Sequence, residues 1–566
     1  MISNKFFFSK ISLLAIAIIC CSVSIFIYAS DNKLVFYRLT FFLWIASLLL
    51  IFFFVVFSSH RQSISYKKSP KEVLFLFILI LFSGFIRFYR LTEIPLLSGD
   101  EVRDAGFLPE AFLRGEIKDL FGHGIYGIPN LFFALASIPH LLFGHSVLSI
   151  RFFAAFFGVL AVVLTYFLGK ELFNSQVGKI ASILMVTYHV HVHFSRSEFI
   201  NNLDSFWAPL VAILLLKTFS NPSASLIFGL FLGLGFHLYQ GIRAFLIYSF
   251  IYFIFWTVNN CYRNTRRFLV RFGYLLSGII LGLGPSVVVI LKRPKEFFNT
   301  GTAGGLLPFQ IGIQDFLSVF PERLLNSFGA LIRYPIDFHY RYGGPFLEAP
   351  LNLFFLVGFL VCFQKLSKKE YNFIIFWLFF VILINSTFLR GMNFTHRLLS
   401  LVPAIMLTVS LGIIRFATFF NKQPRLYRVF LVLVMVISLF YNLKRYFYDL
   451  VWRNAYDSNT KVSTTAGFFT AELPAQTKIF FLNSPRMSWE SCPSWKYLAP
   501  HAYIEDLTEE NFTSVLASLS PDSRLVFIAL PERINDLEKI EKLWPLGIKK
   551  KKSYGGELLF VSYKLN

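Results

Sequence analysis

Charged residues are scarce in this sequence, and acidic residues are the scarcest. Of 566 residues, 15% are charged and 55% are hydrophobic, and the mean hydropathy is +0.60. A soluble chain of this length would form about three or four domains with polar surfaces, and this composition excludes that class. The protein is therefore predicted to lie in a membrane.

Cysteine is also rare, and no C-x-x-C or C-x-x-H spacing occurs among its five positions. Because such spacings mark metal knuckles and compact disulfide scaffolds, we expect neither here. The five positions are Cys20, Cys21, Cys261, Cys362 and Cys492.

Basic residues outnumber acidic residues by 54 to 32, which gives a net charge of +22. In a soluble protein this excess would suggest nucleic acid as a partner. In a membrane protein, basic residues mark loops that stay on the cytoplasmic side beside anionic lipid. The basic clusters lie in alternate loops, so we predict membrane lipid and no nucleic acid as the partner.

Apolar runs of about 20 residues are needed to cross a membrane, and we count about thirteen candidates. The first run has no small residue at the minus-three position of a signal-peptide cleavage site, so we predict an uncleaved helix. The predicted fold class is a polytopic α-helical membrane protein of about thirteen transmembrane helices. The spans are 11–29, 39–57, 72–87, 147–169, 178–193, 204–219, 224–239, 243–258, 272–291, 350–364, 371–388, 398–415 and 428–443.

The alternation of basic loops predicts the orientation. Basic loops resist translocation, so the N-terminus is predicted to lie in the cytoplasm. The membrane is predicted to be the inner (plasma) membrane of the cell. The loops at 88–146, 194–203, 292–349 and 389–397 then face outward, together with the C-terminal segment.

After the last span, strand patterns replace the apolar runs. Residues 478–483, 524–530 and 558–563 have the pattern of β-strands, and 509–519 and 531–543 that of polar-faced helices. We predict two N-terminal helices with a basic loop, a helical membrane core and a small extracytoplasmic α/β domain. Their boundaries are 1–71, 72–443 and 444–566.

Two adjacent acids, Asp100 and Glu101, follow the third predicted span. They begin one of two helices predicted to lie on the membrane surface, at 100–114 and 128–143. Paired carboxylates are costly there unless solvated or paired, and Gly99 allows a sharp turn that points an acid into a cavity. The alternative is that Asp100 only caps the helix.

A short outer turn contains Arg196 and Asp204. These two residues either pair and join two helix ends, or Asp204 supports an acidic site while Arg196 holds a phosphate. Just before the turn, His189 and His193 are four residues apart, so a helix would place both on one face. They could bind a divalent metal with a nearby carboxylate, although histidines that face lipid headgroups are the more common case.

Two further outer turns place cationic and aromatic groups where helices begin. Tyr239 and Arg243 lie in a very short hairpin and could clamp a lipid-linked phosphate. His396 and Arg397 precede another helix, and the arginine fork suits phosphate oxygens. An interfacial tyrosine and a snorkelling arginine are the alternatives.

The long outer loop is rich in glycine at 301–305 and 339–344. Neither stretch matches a nucleotide-binding fingerprint. We predict a mobile lid over an outer cavity in this loop.

These motifs resemble those of integral-membrane GT-C glycosyltransferases, in the bacterial branch related to protein O-mannosyltransferases and lipid A aminoarabinose transferases. The resemblance covers roughly residues 70–415. Besides the acidic pair and the outer turns, it rests on an Arg-x-x-x-Leu-x-x-x-Pro lead-in and on an arginine-bearing helix. The residues of these two motifs are Arg87, Leu91, Pro95 and Arg151.

The resemblance implies a polyprenyl-phosphate-sugar-dependent transferase of hexosyl or pentosyl groups. Such enzymes pass the sugar, with inversion and outside the membrane, to a hydroxyl group; the acceptor here would be an envelope glycan such as lipopolysaccharide, a lipid or a protein. Asp100 would be the general base, with Glu101 and Asp204 as its supports. The phosphate would be held by Arg243 and Arg397, and the remaining candidate donor contacts are Arg196, Tyr239 and His396.

Two other functions are weighed against this one. A transporter or flippase of lipid-linked glycans would need inverted repeats and interrupted helices near the midplane, and the sequence gives no sign of either. A membrane sensor that uses the C-terminal domain would leave Asp100 and Glu101 without a role.

Overall fold

The computed structural model describes most of the chain, and helices dominate it. The glycine-rich stretches 301–305 and 339–344, where a lid is predicted, lie outside the described residues. The described residues are 2–30, 34–59, 69–124, 127–198, 200–261, 264–294, 296, 307–333, 345–389, 395–452, 456–519 and 524–565.

The first part of the chain forms two long helices and then a helical core. The predicted surface helices are each broken into short pieces, and a π-helical turn, Arg103–Phe107, continues the first of them. The α-helices before the C-terminal part are Ile2–Ala29, Tyr37–Ser59, Pro70–Phe88, Gly99–Val102, Leu108–Leu113, Asn130–Ala136, Ile138–Phe143, Val147–Leu172, Ser175–Thr187, His189–Phe194, Asp204–Ser220, Ala224–Gly235, Gln240–Cys261, Thr265–Leu283, Ser286–Lys292, Leu307–Ile311, Ile313–Gly329, Leu351–Gln364, Lys369–Ile382, Val402–Ala417 and Pro424–Leu443.

Seven helices in the described part of the chain are long and apolar enough to cross a membrane, or up to eight if a bent pair is one span. The predicted multi-pass helical fold is therefore confirmed, but the count of about thirteen spans is not. The difference arises because several predicted spans are short in the structure. The span predicted at 224–239 is Ala224–Gly235, and the one at 350–364 is Leu351–Gln364.

Glycines allow helices in the core to pack at very short range. A methyl group added to Gly229 would overlap the carbonyl oxygen of Leu275, and one added to Gly278 would overlap that of Leu226. Both glycines lie where Ala224–Gly235 crosses the helix that begins at Thr265. Small residues permit such close backbone approach in membrane helices.

One helix of the core is interrupted, which the sequence did not indicate. Thr265–Leu283 and Ser286–Lys292 are bent by 93°. Gly284, with φ of +51°, makes the turn because a residue without Cβ adopts this conformation at low cost. Ser286 Oγ donates to the carbonyl of Phe121 at 3.3 Å, so the bend packs against the loop that contains the acidic pair.

The C-terminal part contains a five-stranded mixed sheet, and the predicted small α/β unit is confirmed. The strands are β1 (Lys478–Leu482), β2 (Tyr503–Asp506), β3 (Leu525–Ala529), β4 (Ile548–Tyr554) and β5 (Glu557–Lys564), in the order β2-β1-β3-β5-β4. β1 is parallel to β2 and β3, whereas β5 is antiparallel to β3 and β4. The helices of this part are Ser458–Ala471, Pro493–Leu498, Phe512–Ser518 and Ile534–Leu543.

Candidate active site

The acidic pair begins a short helix whose N-cap is Ser98 and not Asp100. Ser98 has extended backbone angles, and Asp100 is already inside the helix Gly99–Val102. The backbone N–H of Ser98 donates to Glu101 Oε2 at 3.4 Å, as in the N-terminal motif of many helices. The capping role is thus filled by Ser98 and Glu101, which leaves the carboxylate of Asp100 available for another role.

Asp100 is the most exposed acid of this helix and of the π-turn that follows. Its side chain is 41% exposed, and Oδ1 lies 2.8 Å from Nη1 of Arg103. The same guanidinium binds Asp104, whose side chain is 2% exposed, through Nε–Oδ1 at 2.7 Å and Nη2–Oδ2 at 3.0 Å. Burial raises the pKa of Asp104 to about 6. Arg103 therefore holds one exposed and one buried acid together.

Glu101 is fully buried in an ion pair with Arg151. Nε and Nη2 of Arg151 lie 2.8 and 3.0 Å from the two carboxylate oxygens, and both side chains are 0% exposed. The backbone N–H of Glu198 also donates to Glu101 Oε1, at 2.9 Å. Arg151 in turn donates to the carbonyls of Leu91 and Pro95 at 3.0 and 2.8 Å. Glu101 thus supports the loop as a bidentate anchor.

Arg196, a predicted phosphate contact, is used by the fold instead. Nη1 donates to the carbonyls of Ile86 and Arg87 at 2.5 and 3.0 Å, and Nη2 donates to those of Tyr89 and Ile94 at 2.6 and 3.0 Å. These four bonds occupy the guanidinium fork at the end of the helix Pro70–Phe88. We therefore revise its role, because a group already bonded to four carbonyls has little capacity left for a phosphate.

Asp204 lies in a buried cluster with the predicted hairpin and with the turn at Arg397. A methyl group added to Gly241 would overlap Asp204 Oδ2 and lie 3.1 Å from Asn201 Nδ2. Nδ2 of Asn385 donates to the carbonyls of Gly241 and Arg397 at 2.7 and 2.8 Å. The close fit at Gly241 and the amide of Asn385 thus join three segments that are remote in sequence.

The predicted cationic residues of the two outer turns meet around Tyr239. Tyr239 interacts electrostatically with Arg243, Arg397 and Asp104. Arg243 Nη2 is 3.5 Å from Nε2 of His123, and the side chains of Tyr239, Arg243 and Arg397 are all buried. Positive charge is therefore buried near Tyr239, where charge stabilisation is strong, and Tyr239 also interacts with Asp104 of the π-turn Arg103–Phe107.

His396 lies next to Arg397 in the 3₁₀ turn Thr395–Leu401, and it is buried. The turn leads directly into the helix Val402–Ala417. Arg397 therefore stands where this helix begins, as the sequence predicted, and His396 lies deeper than an interfacial side chain would.

The predicted metal pair does not form part of a metal-binding group. No group of three or more His, Cys, Asp or Glu side chains suited to a metal occurs within the described ranges. His189 Nδ1 lies 2.6 Å from Asn442 Oδ1, and His193 packs edge-on against Phe194 at 5.0 Å. Both histidines are buried, so neither faces lipid headgroups.

An apolar groove of about 510 Å³ opens beside this site. It lies between the helices Gln240–Cys261 and Lys369–Ile382, which begin or end next to Gly241 and Asn385. The walls are almost entirely apolar, and several of the lining side chains are exposed. They are Tyr248, Ile251, Tyr252, Phe255, Leu324, Asn372, Phe376, Phe379, Phe380 and Leu383.

Sequence reasoning missed three residues that shape this site: Arg103, Asn385 and His123. Arg103 and Asp104 are neighbours of the acidic pair in the printed sequence, and this proximity was the available signal. Asn385 and His123 carry no local signal. Asn385 binds the carbonyl of Gly241 and His123 lies next to Arg243, and each partner is more than a hundred residues away in the sequence.

The central part of the chain matches a known protein family. Residues 128–287 match the family model described as Dolichyl-phosphate-mannose-protein mannosyltransferase. The resemblance to GT-C glycosyltransferases related to mannosyltransferases and aminoarabinose transferases is thereby confirmed. A search of curated proteins gives no significant match.

Several solved structures are similar to the chain at low identity. ArnT from Cupriavidus metallidurans bound to undecaprenyl phosphate has a TM-score of 0.46 and 11% identity, covering 87% of this chain and 98% of that one. The Archaeoglobus fulgidus oligosaccharyltransferase in the apo form has a TM-score of 0.44 and 12% identity, covering 83% and 70%. Archaeal AglB from the same organism, in complex with an inhibitory peptide and a dolichol-phosphate, has a TM-score of 0.44 and 13% identity, covering 89% and 75%.

Proposed function

We propose that this protein transfers a hexosyl or pentosyl group from a polyprenyl-phosphate donor to a hydroxyl group on the outer face of the membrane, with inversion. The observation that carries the proposal is that two buried arginines, Arg243 and Arg397, surround Tyr239, which also interacts with Asp104 of the π-turn that follows the acidic pair. A sugar carried on a lipid phosphate presents both an electrophilic carbon and an anionic leaving group. The site provides an acid and a cationic pair for these two tasks.

The exposed carboxylate of Asp100 is the general base. It accepts the proton of the acceptor hydroxyl, and the oxygen attacks the anomeric carbon as the bond to the phosphate oxygen breaks. Attack from the side opposite the leaving group inverts the configuration. Arg243 and Arg397 compensate the negative charge on the departing lipid phosphate, so this leaving group needs no protonation. Tyr239 lies between these groups and contacts the donor.

Glu101 and Asp204 act through position. Glu101 anchors the acidic helix to Arg151, and Asp204 packs against the hairpin that contains Arg243. His396 supports Arg397 from the adjacent position in the turn. None of these roles requires a metal ion, although a divalent ion brought by the donor phosphate would be compatible with the acids at the site.

The apolar groove supports a donor with a polyisoprenoid tail. It runs along the helix Gln240–Cys261, whose first turn contains Arg243, so the same helix would contact both the lipid tail and the phosphate. The family description at residues 128–287, which names a dolichyl-phosphate sugar, also favours such a donor. The acceptor is a hydroxyl group of an envelope glycan, a lipid or a protein.

The orientation follows from the basic loops, which place the N-terminus in the cytoplasm and the site outside. In an inner (plasma) membrane, this arrangement gives the site access to envelope acceptors that have already crossed. Nucleotide sugars are confined to the cytoplasm, which agrees with a lipid-linked donor.

The decisive experiment measures transfer from radiolabelled polyprenyl-phosphate sugars to envelope acceptors. Asp100→Asn keeps the size of the side chain but removes the base, so we expect transfer to fall by about 10²- to 10⁴-fold. The matched control is Glu93→Gln, which neutralises an exposed acid of the same loop that forms an ion pair with the nearby Arg90. It should retain activity.

Two results would count against the proposal. Equal transfer by wild type and a well-folded Asp100→Asn protein would remove Asp100 as the base. Failure of the wild type to transfer sugar from any tested donor, while it moves lipid-linked glycans between leaflets, would favour a flippase.

A further inference from the structure

The C-terminal sheet domain contacts the acidic helix directly. Its short helix Pro493–Leu498, here called the docking helix, packs against Gly99–Val102 and the following turn. A methyl group on Gly99 would lie 3.5 Å from Cγ of Pro493. Pro493, the first residue of the docking helix, therefore lies against Gly99, the residue just before Asp100.

Two hydroxyl groups of this domain bind one carbonyl just before the acidic helix. Ser494 Oγ donates to the carbonyl of Leu97 at 2.7 Å, and Thr464 Oγ1 donates to the same oxygen at 3.1 Å. All three residues are buried. A buried carbonyl with two donors is well satisfied, and loss of either donor weakens the hold on the start of the helix.

Tyr497 of the docking helix packs against the end of the π-turn Arg103–Phe107, which follows the acidic helix. Its ring packs edge-on against Phe107 at 5.5 Å and lies under His145 at 4.0 Å. A methyl group on Gly106 would come within 2.9 Å of the ring, so the ring occupies the space left by this glycine. The hydroxyl reaches Glu110 Oε1 at 3.3 Å. The aromatic ring is therefore buried mainly among residues of the loop and of the helix Val147–Leu172.

The acidic helix Gly99–Val102 is thus held on two sides, by Arg151 and by the docking helix. Asp100 is partly exposed and pairs with Arg103 at the start of the following π-turn, so its direction depends on how the helix and this turn are held. Glu101 fixes the inner side of the helix through Arg151. The docking helix fixes the outer side at Leu97, Gly99 and Gly106.

We propose that Ser494 and Tyr497 are positioning residues that set the direction of the Asp100 carboxylate, so that the C-terminal domain is part of the transfer machinery. This proposal rests on the proposed function of Asp100. It predicts that weakening the docking helix lowers kcat and leaves KM for the lipid donor unchanged, because Arg243 and Arg397 lie on other elements. A displacement of about 1 Å is enough to cost about 10²-fold in rate.

The kinetic test compares Tyr497→Ala and Ser494→Ala with matched controls in the same domain. For Tyr497→Ala we expect a fall in kcat of about 10²-fold, and for Ser494→Ala a fall of about 2- to 10-fold, as for one hydrogen bond. Ser494→Thr, which keeps the hydroxyl, should restore most of the activity. The controls Tyr563→Ala and Ser562→Ala remove a buried tyrosine and a buried serine of β5. At equal folded fraction, an equal fall in kcat for the controls, or a change confined to KM, would overturn the proposal.

A cross-link tests the docking independently of activity. The ideal Cβ of Gly99 lies 4.0 Å from Cβ of Pro493, within the range of disulfides. In a Cys492→Ser background, Gly99→Cys with Pro493→Cys should form a disulfide that mass spectrometry detects between the two peptides. Its absence from folded full-length protein would overturn the proposal.

If the wild type transfers no sugar, the proposed function is refuted but the positioning role can still be tested by a third measurement. The reaction of a bulky maleimide with Asp100→Cys should then be faster in the Tyr497→Ala protein than in the Tyr563→Ala protein. Equal rates would overturn the positioning role.

Discussion

Arg103 links the two acids of the candidate site that differ most in exposure. It binds buried Asp104 with two nitrogens and exposed Asp100 with a third. The charge of Asp104 therefore determines how strongly Arg103 is drawn away from Asp100. Since burial raises the pKa of Asp104 to about 6, this balance changes near neutral pH.

We predict that transfer rises with pH through about 6 and that Asp104→Asn abolishes this rise. Below about pH 6, Asp104 is protonated and releases Arg103 to pair with Asp100 alone, so Arg103 competes with the acceptor hydroxyl for this carboxylate. Above it, the Asp104 carboxylate shares Arg103. The measurement is kcat against pH between about 5 and 8 for both proteins.

The contribution of Asp104 to the stability of the protein should decrease as pH rises, whereas the transfer rate increases. The pKa of Asp104 is higher in the folded state than its ordinary value of 3.8, so its contribution is fully present below about pH 4 and is lost as pH rises through about 6. An increase in rate over this interval thus cannot come from better folding. An unchanged rise in Asp104→Asn would contradict the assignment.

At this scale, the sequence allowed candidate residues to be selected, but it did not indicate what each one contacts. Asp100, Glu101, Tyr239, Arg243 and Arg397 could be selected because charged groups at the ends of apolar helices are unusual. Which arginine faces the site could not be predicted: whether a guanidinium binds a ligand or a helix end depends on carbonyls brought by distant segments, as the four bonds of Arg196 show.

The anchor between Glu101 and Arg151 determines where the acidic helix lies on the helix Val147–Leu172. Both side chains are completely buried, so removal of one partner leaves an unpaired charge. We predict that Glu101→Ala lowers the free energy of unfolding by about 3–5 kcal/mol. Reversible unfolding in mixed micelles would measure the change.

A double variant distinguishes a buried charge from a simple loss of contact. Glu101→Leu with Arg151→Met removes both charges and should recover part of the stability. Recovery is incomplete because the carbonyls of Leu91 and Pro95 lose the donors that Arg151 provides. Glu93→Ala, at an exposed pair, should cause no measurable change. No recovery in the double variant would argue against the buried ion pair.

Elements with a hydrophobic pattern were predictable, and those set by distant contacts were not. β1, β3 and β5 lie close to the predicted strands because they are apolar and buried. β4 contains four consecutive lysines and is mostly exposed; it is a strand only because it pairs with β5. The docking helix begins after Cys492 and is too short for a periodic pattern to appear.

At the scale of the whole molecule, the N-terminal helix pair joins the core at the bend of the interrupted helix. Trp44 Nε1 donates to the carbonyl of Leu281 at 3.0 Å, and its ring packs edge-on against Phe121 and His237 at 5.4 and 5.3 Å. One tryptophan thus contacts the bend, the loop after the acidic helix and the hairpin. The resemblance begins near residue 70, so this connection could not be expected from the sequence.

The last prediction concerns this junction. A methyl group on Gly284 would overlap the Trp44 ring, and its φ of +51° disfavours a side chain in any case. Gly284→Ala should therefore destabilise the protein both by overlap and by about 1–3 kcal/mol of backbone strain. In a Trp44→Ala background the overlap is absent, so Gly284→Ala should cost only the strain. Thermal unfolding of the four proteins measures this coupling, and additive effects would mean that the two residues do not touch. Gly273→Ala, in the same helix but with open space around it, should show no loss, because alanine is the better helix former.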